Sequence, residues 1–176
     1  MKRFNQSLGG ALLGAAVLAG SAQAQADKPL KIGVLTDLTS VYSDIGGKGN
    51  IEAAKMAIED FGGQMFGKPI ELVSSDVQMK ADVAASIARK WWEQENVDAI
   101  IDMPTSATAL AVMELSKQFA KPLIITDAAS SDITGKSCSP YTAHWTYDTY
   151  SNAHTVGDAV VKQGGDSWYF ITVDYA

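Results

Sequence analysis

Pro104, Thr105, Ser106, Ala107 and Thr108 follow one another where an apolar run gives way to a helical pattern. Small and hydroxyl-bearing residues at such a junction suit two roles. A threonine or serine there can cap the helix by accepting a backbone N–H. The same turn offers unpaired amide groups and the positive end of a helix dipole to an anion, worth about 0.3–1 kcal/mol per contact. A carboxylate set there would collect N–H and O–H donors without a basic side chain. Covalent chemistry finds less support. No serine sits in a G-x-S-x-G elbow. His144 and His154 lack partners at metal-ligand spacing, so neither a metal nor a cofactor is expected. Gly46, Gly47 and Gly49 come too late after the first apolar run for a dinucleotide fingerprint, and "GGKG" lacks phosphate-loop spacing. That tetrapeptide reads as a helix start at a tight turn. Glu59 and Asp60 are helix neighbours that point apart. Asp76 and Asp127, each after an apolar run, read as turn and cap residues rather than catalysts.

The elements that position these residues alternate. "LKIGVLTDL" (30–38), "IELVSSD" (70–76), "VDAIID" (97–102) and "LIITD" (123–127) are apolar, β-rich runs without helical period, as in buried strands. Between them lie helical stripes. Ile51, Ala54, Ile58 and Phe61 form one; Val83, Ala84, Ile87, Ala88 and Trp91 form the next, with Trp92 on a different face. Leu110 and Met113 point inward from a third helix. "GGQMFGKP" (62–69) stops the first helix. After a loop at 128–147, a helix from Asp148 to Lys162 precedes a fifth strand, "SWYFITV" (167–173). The pattern predicts right-handed βαβ units: an α/β fold with a parallel sheet flanked by helices. Ligands of such sheets bind beyond the carboxyl ends of the strands. The residues there are Asp37, Thr39, Ser40 and Tyr42, then Pro104 to Thr108, then Ala128, Ala129 and Ser130, then "HWTYDTY" (144–150).

Residues 1–26 have the form of a secretory signal, with Lys2 and Arg3, an apolar run from Leu8 to Gly20, and an "AQAQA" cleavage region. The run is too short to span a bilayer, and no cysteine follows it as a lipoprotein would require. The net charge of −6 becomes more negative once that segment leaves, which argues against nucleic acid and anionic membranes as partners. The single cysteine, Cys138, is either a free thiol or lacks its partner. A buried strand closing on "VDYA" lacks a covering helix, so the sequence is expected to be part of a longer protein.

"PLKIGVLTDLTSVYSDIGGKGNIEAAKMAIEDFGG", "GKPIELVSSDVQMKADVAASIARKWWEQENVDAIID" and the pair "PTSA…PLIITDAASSDIT" resemble, in order and register, the solute-binding proteins of branched-chain amino acid ABC transporters. The resemblance implies a type I periplasmic binding protein, a two-lobed α/β fold with a ligand cleft between lobes and no catalysis. Residues 27–147 would be the first lobe and residues 148–176 the start of a truncated second. It implies delivery of a small carboxylate-bearing solute to an inner-membrane permease from the periplasm, and it offers Cys138 a partner in the absent part. Carried over by position, the family's contacts fall on Tyr42, Ser106 with Ala107, and Ala128, Ala129 and Ser130; Trp145, Tyr147 and Tyr175 would line the cleft. "DMPTSA" and "HWTYDTY" depart from leucine binders, and the added aromatics resemble the subgroup that binds aromatic carboxylates. Alternatives are the ligand-sensing ectodomain of a receptor with the same fold, and an exported hydrolase.

Overall fold

The computed structural model describes residues 28–171. Its main sheet has five strands: β1 (Lys31–Thr36), β4 (Glu71–Asp76), β5 (Ala99–Asp102), β6 (Leu123–Ile125) and β7 (Thr142–His144). They lie in the order β4-β1-β5-β6-β7, every neighbouring pair parallel. Helices α1 (Gly47–Asp60), α2 (Ala81–Glu93), α3 (Ser106–Phe119) and α4 (Thr149–Lys162) follow β1, β4, β5 and β7 in sequence. Two two-residue strands, β2 (Gln64–Met65) and β3 (Lys68–Pro69), form an antiparallel hairpin between α1 and β4.

The β-rich runs are apolar because the sheet is covered. Leu35, Ile100, Leu123 and Ile125 are fully buried with Val97, Val112 and Met113. Gly33 in β1 leaves room for the indole of Trp91 from α2: a Cβ there would sit 2.5 Å from its Cε3. "GGKG" does open a helix; Gly47, the first residue of α1, holds φ at +48°, a conformation that favours glycine.

Three expectations need correction. The fifth sheet strand is Thr142–His144, inside the stretch expected to be a loop. Its partner β6 recruits it through Leu123 N–H to Tyr141 O (2.9 Å) and Trp145 N–H to Ile125 O (2.8 Å). Ser167–Ile171 adopts no regular structure and its aromatics stand exposed, while Thr172 and Val173 lie outside the described residues. Trp92 lies on a different face from Trp91, as expected, and is buried there, because α3 lies against α2 and Phe119 meets its ring at 5.9 Å. Phe61, the last residue of the first apolar stripe, is exposed just beyond α1. The leader at 1–26 lies outside the described residues. Among those described, no helix is long and apolar enough to cross a membrane, and Cys138 is free and exposed.

Candidate functional site

The chain runs from β1 outward to β4 and then returns to the other side of β1 with β5. At that reversal the connections leave in opposite directions and open a crevice beyond the strand ends. A pocket of about 190 Å³ lies there. Its walls come from three connections: Tyr42, Ile45 and Gly46 after β1; Pro104, Thr105 and Ser106 after β5; Thr126, Asp127, Ala128 and Ala129 after β6. Thr146 and Tyr147 after β7 complete it. Among these described residues the lining holds Asp127 but no lysine or arginine.

Each wall is held from behind. Buried Asp37 accepts the N–H groups of Ser40 (3.1 Å) and Tyr42 (2.9 Å) and the Ser40 hydroxyl, which fixes the turn carrying Tyr42. Asp76 accepts Leu38 N–H and Gln78 N–H, so it is a turn residue as expected. At α3 the hydroxyls divide their work. Thr105 is the N-cap and forms a capping box with Thr108, whose hydroxyl also donates to Thr105 O at 2.8 Å. Ser106 is left over from the cap. Its Oγ instead accepts the N–H of Ser130 at 3.2 Å, joining the β5 and β6 connections. Removing the cap with Thr105→Ala should cost about 1 kcal/mol, read as a lower urea midpoint with an unchanged slope.

In the β6 connection two backbone carbonyls are occupied. His144 donates from Nε2 to Ala128 O at 2.7 Å, and Thr149 N–H donates to Ala129 O at 2.8 Å. Ala128 N–H is held by Met103 O. The amides of Ser106, Ala107 and Ala129 are not bonded to any described residue; the first two belong to a first helical turn, which has no acceptors of its own. The backbone before this turn is bent through two successive positive-φ residues, Asp102 (91°) and Met103 (85°), a strain of about 1–3 kcal/mol each that the buried surroundings maintain.

Of the residues expected at the site, Tyr42, Ser106, Ala128, Ala129 and Tyr147 meet around this pocket. Ser130 contributes behind the wall through Ser106. Ala107 follows Ser106 in the first turn of α3 but does not line the pocket. Trp145 also stands outside the lining and is 80 % exposed. Tyr175 lies outside the described residues. Ile45, Gly46 and Asp127 were not expected in the lining. Asp127 was legible only as a polar residue closing an apolar run. A larger recess of about 540 Å³ lies at the opposite ends of the strands, beside Lys28, Lys31, Trp92 and Lys121. Lys31 and Lys121 are committed there to Glu71 and Asp98, and the recess is remote from the chain reversal.

Comparison with known proteins places these features. The family described as periplasmic binding protein matches residues 29–176. A periplasmic binding protein from Burkholderia mallei shares 47% identity and superposes with a TM-score of 0.80, over 84% of this chain and 40% of that one. A branched chain amino acid ABC transporter periplasmic ligand-binding protein from Burkholderia xenovorans is also 47% identical, with a TM-score of 0.73 over 77% of this chain and 36% of its own. A solute binding protein of an ABC transporter from Rhodopseudomonas palustris, in complex with 3,4-dihydroxy benzoic acid, is 26% identical, with a TM-score of 0.71 over 77% and 37%. This chain therefore spans about two fifths of the length of these solved relatives. A search of curated proteins found no match.

Proposed function

The chain belongs to the periplasmic binding protein family, and we propose that it carries part of the solute site of an ABC importer's binding protein. The solute is a small carboxylate-bearing molecule, a branched-chain or other amino acid or an aromatic acid, bound without chemical change. One observation carries this reading: around a pocket at the chain reversal, the carbonyls of Ala128 and Ala129 are tied down while the N–H groups of Ser106 and Ala129 have no acceptor among the described residues. Such a site offers donors and suits a carboxylate. The aromatic rings of Tyr42 and Tyr147 supply apolar walls. The relatives from Burkholderia xenovorans and Rhodopseudomonas palustris support an amino acid or an aromatic acid as the class.

In this reading residues 1–26 direct export to the periplasm, residues 27–147 form one lobe, and residues 148–176 begin a second. The exposed surface of α4, which buries no residue of its own, agrees with a further packing partner. The solute would be handed to an inner-membrane permease. Closure of two lobes would trap it, since the ligand prefers the closed form.

The test is a thermal-shift titration of the protein with L-leucine and, separately, 3,4-dihydroxybenzoate. A bound solute at a hundred times its Kd should add about 2.7 kcal/mol to stability. A melting temperature unmoved by amino acids and by aromatic acids would remove this assignment.

A further inference from the structure

Beneath the pocket, the ends of β5 and β6 bring two acidic residues close together, with Thr126 N–H bonded to Asp102 O at 3.2 Å and Asp102 in register with Ile125. Asp102, the last residue of β5, is 2 % exposed. Its Oδ1 receives only a long bond from Thr126 Oγ1 (3.4 Å), and its Oδ2 is buried without a donor. Asp127 lines the pocket and accepts Asn50 Nδ2–H of α1 at 2.9 Å. Gly46 makes room for that contact: a Cβ there would lie 2.6 Å from Asn50 Nδ2 and 2.9 Å from Asp127 Oδ2. Among the described residues, no lysine, arginine or histidine pairs with either carboxyl. Thr36, fully buried at the end of β1, and Asn50 of α1 also face Asp102, and the Thr36 hydroxyl has no hydrogen-bond partner among the described residues.

Two carboxylates in contact cannot hydrogen-bond; one acid and one carboxylate can. We propose that Asp102 and Asp127 hold one proton between them, and that this pair, tied to α1 through Asn50, positions the β1 and β6 walls of the pocket. Asp102 acts through Asp127 and is a positioning residue. That the spacing of the walls serves a solute rests on the function proposed above; the shared proton itself does not.

Burial pushes the Asp102 carboxyl up to about 7, helped by the hydrogen bond and charge of Asp127 and opposed by Asn50 and Thr36. The folded chain thus holds this proton more tightly than the unfolded chain does. The stability it confers is complete below the ordinary aspartate value and is lost as pH rises through about 7. Above that, two buried like charges repel.

The experiment combines carbon-13 carboxyl NMR of aspartate-labelled protein with melting curves between about pH 5 and about pH 8, a window that spans the neutral range where an ordinary aspartate is already ionised. One aspartate carboxyl should titrate near neutrality, and the melting temperature should fall across the window. Asp102→Asn, which keeps a neutral donor, should erase that resonance and flatten the melting profile, whereas Asp102→Ala should lower the melting temperature without restoring the contact. If every aspartate carboxyl titrates in its ordinary acidic range, or if wild type and Asp102→Asn run parallel, the proposal is overturned. Should Asp102→Asn fail to fold, the wild-type titration alone decides. Titration with 3,4-dihydroxybenzoate at both ends of the window separates the two ideas. Weaker binding at the alkaline end in wild type but not in Asp102→Asn supports the positioning role, and equal pH dependence in both overturns it. No binding at either end counts against the solute assignment, with the carboxyl titration still judging the pair.

Discussion

Gly33→Val is expected to be the most damaging single change in the sheet. Gly33 pairs with Val73 on one side and Ile100 on the other, so β1 cannot shift to make room. The added side chain would enter the volume of the Trp91 ring, itself buried between sheet and helix. Overpacking of this kind costs about 1–3 kcal/mol and more where the backbone is pinned, out of a total of about 5–15 kcal/mol for a small domain. Urea unfolding should show a lower midpoint, with the drop multiplied by the slope giving that loss. Adding Trp91→Leu should recover part of the loss, and a double-mutant cycle without coupling would show that the two residues do not share this space.

Ala129→Leu should have the largest effect on solute binding. Ala129 is half-buried in the lining of a pocket of only about 190 Å³, so three added carbons would occupy the volume a small acid needs. A loss of roughly a hundredfold in affinity, about 2.7 kcal/mol, is expected, with the melting temperature of the unliganded protein little changed. Calorimetric titration with whichever acid the thermal-shift screen selects measures it. Unaltered affinity in a folded variant would place the solute elsewhere.

Much of this architecture is visible in the chain itself because its covered strands must be apolar. "KIGVLT" and "AIID" lie between other strands and carry no polar alternation until their ends. β7 escaped notice for the opposite reason. Thr142–His144 is a three-residue strand beside β6, part polar, and its place depends on backbone bonds to β6 that no side-chain pattern encodes. A helical stripe counts one neighbour, the sheet, so it separates Trp92 from Trp91 without showing that α3 buries the second face. At the candidate site, position after a strand points to Tyr42, Ser106, Ala128 and Ala129, all of which line the pocket. It did not separate Thr105, spent on the cap, from Ser106, which is not. Trp145 is an aromatic in the same connection that stands exposed outside the pocket lining. The partnership of Asp102 with Asp127 joins residues 25 positions apart in adjoining connections and becomes visible only once β5 and β6 are aligned.

The bond between Ser130 and Ser106 gives the pocket a handedness of charge. With one lone pair of the Ser106 oxygen engaged by the Ser130 amide, the hydroxyl keeps its hydrogen to give and one further lone pair. Alongside it stand amides that can only give. Under the proposed function, an acid turned towards these amides meets donors, and the Asp127 carboxylate elsewhere in the lining is the acceptor left for an ammonium group.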